Sequence, residues 1–146
     1  MHGRFSGRVK WNDKYLTVNG KKILATSEKD PSKLPWKSLG IDVVLECTGF
    51  FLNKEKASLH LDAGAKKVVL SAPPKSKDIP MVVLGANEDI IKSSDKIISN
   101  ASCTTNCLTP MIKIMDKKFG IDRFYLTTTH AYTSDQAIQD LSLIHI

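Results

Sequence analysis

The tightest constraint on this chain is the alternation, between residues 41 and 99, of short β-branched runs with one amphipathic stretch. Ile41-Asp42-Val43-Val44-Leu45-Glu46-Cys47-Thr48 is mostly apolar and β-branched, as expected of a strand buried in a parallel sheet. Residues 53–63 then read as a helix: Asn53 occupies the N-cap, Ala57, Leu59 and Leu61 supply apolar contacts, and Gly64 fits the stop. Lys67-Val68-Val69-Leu70 is a second strand, closed by Ser71-Ala72-Pro73-Pro74, and Met81–Leu84 and Lys96–Ser99 read as two more. Strand, helix, strand in this rhythm makes a βαβ unit and sets the fold class as α/β.

The flanks add two pieces. Residues 8–26 read as two strands around Asn19-Gly20, a strong hairpin signal. Beyond Ser99 the pattern turns helical from Thr104 to about Phe119, with Leu108, Ile112 and Met115 on one side and Gly120 at the end. Phe124–Ala131 then reads as a strand carrying His130 at its end. The net charge of +6 raises the question of nucleic acid. Its lysines are scattered without interleaved aromatics, which favours an ordinary solvated surface that also suits small phosphates. No apolar run has the length of a membrane span, and three cysteines do not make a disulfide framework, so a reducing, cytoplasmic setting is expected.

The chemistry concentrates in Ser99-Asn100-Ala101-Ser102-Cys103-Thr104-Thr105-Asn106-Cys107, a strand-to-helix junction. A cysteine in the first turn of a helix meets unpaired N–H groups and the positive end of the dipole, which favour thiolate. The same N–H groups suit an oxyanion, and the hydroxyls of Ser102, Thr104 and Thr105 suit phosphate oxygens. Equally, a cysteine here can be a small buried residue with no chemistry. Cys-x3-Cys is not a zinc or thioredoxin spacing, so no metal is expected, and Cys47 and Cys107 are read as structural. His130, at a strand end, is the best-placed base for the thiol; His2, His60 and His145 are assigned to the surface or to foreign sequence.

Residues 99–110, Ser-Asn-Ala-Ser-Cys-Thr-Thr-Asn-Cys-Leu-Thr-Pro, resemble the active-site signature of glyceraldehyde-3-phosphate dehydrogenases. His2-Gly3-Arg4-Phe5, Val18-Asn19-Gly20-Lys21, Glu46–Phe51, Ala63–Val68 and His130-Ala131-Tyr132-Thr133 are similar to that family in the same order, so the resemblance covers residues 2–140. It implies that residues 1–102 are the later part of a Rossmann-like NAD-binding domain and 103–146 the beginning of an α+β catalytic domain. It also implies Cys103 as nucleophile and His130 as its base, with Ser102 and Thr104 on the attacking phosphate and Thr133 on the substrate phosphate. Lys29, Thr48, Gly49 and Ser71 match positions near the cofactor. The implied reaction is NAD-dependent oxidation of glyceraldehyde 3-phosphate to 1,3-bisphosphoglycerate, by a cytoplasmic homotetramer when full-length.

The Gly-rich dinucleotide turn and the following acidic residue of that family do not occur in this sequence, so the choice between NAD and NADP is left open. The chain is expected to be an internal piece of the enzyme, with Met1 an internal methionine and little turnover on its own. Leu141–Ile146 has the sequence that one frame of a common library adapter encodes and is expected to be foreign. The rival readings are erythrose-4-phosphate dehydrogenase, which uses the same pair, a Cys–His hydrolase, and a non-enzymatic basic binding module.

Overall fold

In the structure, a computed structural model that describes residues 3–133, the regular elements are two separate three-stranded sheets, two α-helices and two short 3-10 helices (Pro31–Lys33 and Glu88–Ile90). The first sheet is an antiparallel meander of β1 (Val9–Trp11), β2 (Tyr15–Val18) and β3 (Lys21–Leu24). Asn19 and Gly20 both take positive φ, 50° and 85°, which is what a two-residue turn between twisted strands requires. Sequence reasoning anticipated two strands here; β1 is the extra one, three residues long and paired Val9 to Val18.

The second sheet is parallel, in the order β4 (Val43–Glu46), β5 (Lys67–Leu70), β6 (Ile97–Ser99). Helix α1 (Lys54–Asp62) makes the crossover from β4 to β5. Asn53 caps it by accepting from the Lys56 N–H at 2.8 Å, and Gly64 leaves it with φ of 105°. The core lies between this helix and the sheet: Ala57, Val68 and Leu70 are fully buried, joined by Ile79 and Ile97, with Leu52 and Leu61 packed on the side. Val44 and Glu46 face this core from β4, while Val43 and Leu45 point outward and are exposed. β4 is therefore buried on one face, not on both as its apolar run suggests.

Two predicted strands are not formed. Met81–Leu84 contributes only an isolated parallel bridge from Met81 to Ser99, because the chain turns away at once through Val83 and Ala86. Residues 124–131 form no ladder: no described strand lies beside them, and β propensity without a partner does not make a sheet. Helix α2 (Cys103–Phe119) begins one residue earlier than expected and ends at Gly120, whose φ is 70°. It buries no residue; Met111, Ile114, Met115 and Phe119 are exposed. No described helix is long and apolar enough to cross a membrane.

Candidate active site

The site begins where β6 hands over to α2. Ser99, fully buried, donates its hydroxyl to the Ala72 carbonyl at 2.8 Å and accepts from the Ala101 N–H at 3.0 Å. Ala101 itself sits at φ 57°, a conformation that an alanine adopts only under constraint. Asn106 reaches back from the first turn of α2 and donates to the carbonyls of Asn100 and Ser102, at 2.7 and 2.9 Å. Ser102 closes the helix as N-cap, accepting from the Thr105 N–H at 3.0 Å. These bonds fix the loop that presents Cys103.

Cys103 is exposed at the head of this 17-residue helix, and its Sγ lies 3.3 Å from His130 Nε2. The other ring nitrogen, Nδ1, is 2.6 Å from the Ala131 carbonyl, which can only accept, so Nδ1 carries a proton and Nε2 is free to take the thiol's. The His130 contact lowers the Cys103 pKa below the usual thiol value, helped next by the Thr104 hydroxyl and then by the Thr104 N–H. The His130 pKa is raised, first by the Ala131 carbonyl and then by Cys103. Each shift favours the thiolate–imidazolium form of the pair.

Cys103, Thr104 and His130 face one cleft of about 400 Å³, whose far wall is Leu126–Thr129 and whose floor includes Cys107 and Met111. The cysteine–histidine pair anticipated from sequence is thus in contact, though His130 arrives on an extended segment and not on a strand. Ser102 adjoins the cleft, but its hydroxyl is engaged with Thr105. Thr133 lies three residues beyond His130 on the same exposed segment.

Three of the residues matched to the cofactor, Thr48, Gly49 and Ser71, lie along the same C-terminal rim of the parallel sheet from which the Cys103 loop departs. Thr48 and Gly49 follow β4, and Ser71 follows β5, where its N–H donates to the Glu46 carbonyl at 3.0 Å. Gly49 has φ of 77° and open space where a Cβ would stand, so a ligand can approach its backbone closely. Beside this rim runs a groove of about 440 Å³ walled by Thr26, Glu28, Leu34, Trp36, Leu45 and Thr48. Lys29 is exposed next to Glu28, outside that lining. The rim of a parallel sheet is where nucleotides bind in α/β folds, and these residues fit one side of a dinucleotide. The phosphate-cradling turn is not in the sequence.

His60 corrects the sequence reading. It is 5% exposed, not on the surface, and is bonded to Glu46 and Trp36. Sequence reasoning also passed over Ser99, Asn106 and Glu46. The signal for Glu46 was available: it shares the period-2 face of Val44, the face turned to the core. Among the described residues no cluster of His, Cys, Asp and Glu suits a metal ion.

Comparison with known proteins gives two family matches. Residues 1–54 match the family described as glyceraldehyde 3-phosphate dehydrogenase, NAD binding domain, and residues 102–144 the one described as glyceraldehyde 3-phosphate dehydrogenase, C-terminal domain. The chain is 54% identical over 141 residues to the glyceraldehyde-3-phosphate dehydrogenase of Thermotoga maritima, covering 97% of this chain and 42% of that protein. It is 52% identical over 138 residues to the enzyme of Clostridium pasteurianum, covering 94% and 41%. For the enzyme of Mycoplasma pneumoniae the identity is 53% over 139 residues, with 95% and 41% covered. The chain spans about two-fifths of the length of the relatives it matches.

Proposed function

This chain belongs to the glyceraldehyde-3-phosphate dehydrogenase family, and we propose that it carries the covalent half of that enzyme's site, with Cys103 as nucleophile and His130 as its base. The observation that carries this reading is the 3.3 Å contact of Cys103 Sγ with His130 Nε2 at the head of α2. The thiolate attacks the aldehyde carbon of glyceraldehyde 3-phosphate, and His130 Nε2 holds the thiol proton. Negative charge developing on the former carbonyl oxygen is stabilised by the N–H groups at the start of α2. Bound NAD supplies the hydride acceptor that separates the thiohemiacetal on Cys103 from the thioester. Inorganic phosphate then cleaves the thioester to 1,3-bisphosphoglycerate, with Thr104, and Ser102 beside it, orienting phosphate at the helix head. Thr133 is assigned to the phosphate of the substrate, and Thr48, Gly49, Ser71 and Lys29 to the cofactor.

The domain boundary is placed between residues 102 and 103, and a cytoplasmic homotetramer is the assembly inferred for the full-length enzyme.

Acylation tests the chemistry without requiring the cofactor. Incubated with 1,3-bisphosphoglycerate, the chain should acquire a 3-phosphoglyceryl thioester on Cys103, located by mass spectrometry. His130→Gln should slow its formation. Equal acylation of Cys47, Cys103 and Cys107, or none at all, would refute the assignment.

A further inference from the structure

Beyond the Cys103 cleft, the most unusual feature is an ionisable pair of low exposure at the base of the groove beside the rim. Glu46 and His60 are 3% and 5% exposed, and Glu46 Oε2 lies 3.0 Å from His60 Nε2. Apolar side chains of similar volume commonly serve stability as well or better at such positions, so the pair calls for another reason.

Its hydrogen bonds run in one direction. The indole of Trp36 donates from Nε1 to His60 Nδ1 at 3.1 Å. Indole nitrogen only donates, so Nδ1 must be the acceptor and the imidazole proton must sit on Nε2, pointing at Glu46. Trp36 stacks on the ring at 6.3 Å between centroids and Phe51 meets it edge-on at 6.0 Å, which fixes its plane. The other carboxylate oxygen, Oε1, accepts from the Thr48 N–H at 2.7 Å and from the Thr48 hydroxyl. The Thr48 hydroxyl oxygen in turn accepts from the Phe50 N–H at 3.2 Å. The end of β4 is thus tied into a turn by a side chain whose own orientation is set from α1 and the 34–37 loop. All four members of this relay, Trp36, His60, Glu46 and Thr48, line the same groove.

We propose that Glu46 is a positioning residue: oriented by His60 in its Nε2–H tautomer, which Trp36 enforces, it holds the Thr48–Gly49 turn in the conformation that receives the adenosine side of the cofactor. The last clause rests on the cofactor assignment above; the relay itself does not.

Substitution at Glu46 exposes the logic. In Glu46→Gln the amide oxygen can still accept from Thr48, but the amide N–H2 then faces the Nε2 proton of His60. The ring must lose that bond or move its proton to Nδ1, where the indole N–H stands. Trp36→Phe removes that second conflict. In the 15N-labelled chain, long-range proton–nitrogen spectra should show His60 protonated on Nε2 and bare on Nδ1. Glu46→Gln should displace the Thr48 amide resonance and weaken NAD binding roughly tenfold, the equivalent of one hydrogen bond. Adding Trp36→Phe should return both part-way to the original values, a rescue that a purely structural role would not produce. A proton on Nδ1 in the unsubstituted chain, or two substitutions whose effects simply add, would overturn the relay. If NAD moves neither the Thr48 nor the Gly49 resonance of the unsubstituted chain, the cofactor assignment fails. The tautomer and the rescue of the Thr48 amide then still decide the relay.

Discussion

The same substitution, alanine to glycine, should have opposite standing at two buried positions, and the contrast tests whether the approach to Cys103 is strained. Ala57 is fully buried in the middle of α1, with ordinary helical geometry. Ala57→Gly loses a buried methyl, about 0.8 kcal/mol, and about 1 kcal/mol of helix propensity, so a cost near 2 kcal/mol is expected. Ala101 is 2% exposed but has φ of 57°. Ala101→Gly loses a similar ~0.8 kcal/mol of burial and ~0.4–1 kcal/mol through the freer unfolded chain. Against this it recovers the roughly 1–2 kcal/mol that an L side chain costs in the left-handed region. The sum is close to zero. Urea denaturation of both variants, read by circular dichroism, should separate their midpoints, Ala57→Gly falling well below Ala101→Gly and the latter staying near the parent. Equal losses at the two positions would show that Ala101 stores no strain and that its backbone is held there for nothing.

Three further outcomes follow from the geometry. The pH midpoint for iodoacetamide labelling of Cys103 should lie below the ordinary thiol range. Because the His130 contact is the leading cause of the lowered thiol pKa, His130→Gln should move that midpoint to higher pH, and Thr104→Val should move it less, Thr104 being the next cause; unchanged midpoints would refute the pairing. Ser102→Ala removes the N-cap bond to Thr105 and should cost about 1 kcal/mol of α2 stability, measured as lost helical signal on heating. Leu70→Ala hollows the fully buried centre of β5 and should cost about 3 kcal/mol in the same denaturation assay, more than either alanine-to-glycine change.

Much of this architecture was legible where local physics decides. Asn19-Gly20, the Asn53 cap and the β-branched runs 43–46 and 67–70 each form what their chemistry dictates, because turn geometry, capping and period-2 burial are short-range properties. The Cys103–His130 contact depended on a family resemblance and on the fold together, since spacing alone does not bring two side chains within 3.3 Å. Two of the errors share a cause. Met81–Leu84 and Phe124–Ala131 have strand composition, yet a strand is defined by its neighbour, and the sequence does not say which neighbour is there. His60 is not at the surface as expected, because its partners are not its sequence neighbours. Only the carboxylate on β4 and the indole of Trp36, far apart in the chain, make its burial tolerable.

The two sheets also differ in how they can be reached from the unfolded chain. The meander pairs residues that are sequence neighbours, Val18 with Lys21 at its tightest, so it can form on the microsecond scale of an isolated hairpin. The parallel sheet pairs Val43 with Lys67 and Val68 with Ile97, and each pairing must first close a long loop. Its residues make the core, whereas every residue of β1 and β3 is exposed. The part that forms first is therefore the part that stabilises least. The sequence supplies a reporter for each: Trp11 in β1 and Trp36 against His60. Stopped-flow fluorescence of the two single-tryptophan variants should show a fast phase of small protective value at Trp11, and a slower one at Trp36 that coincides with the appearance of a protected core.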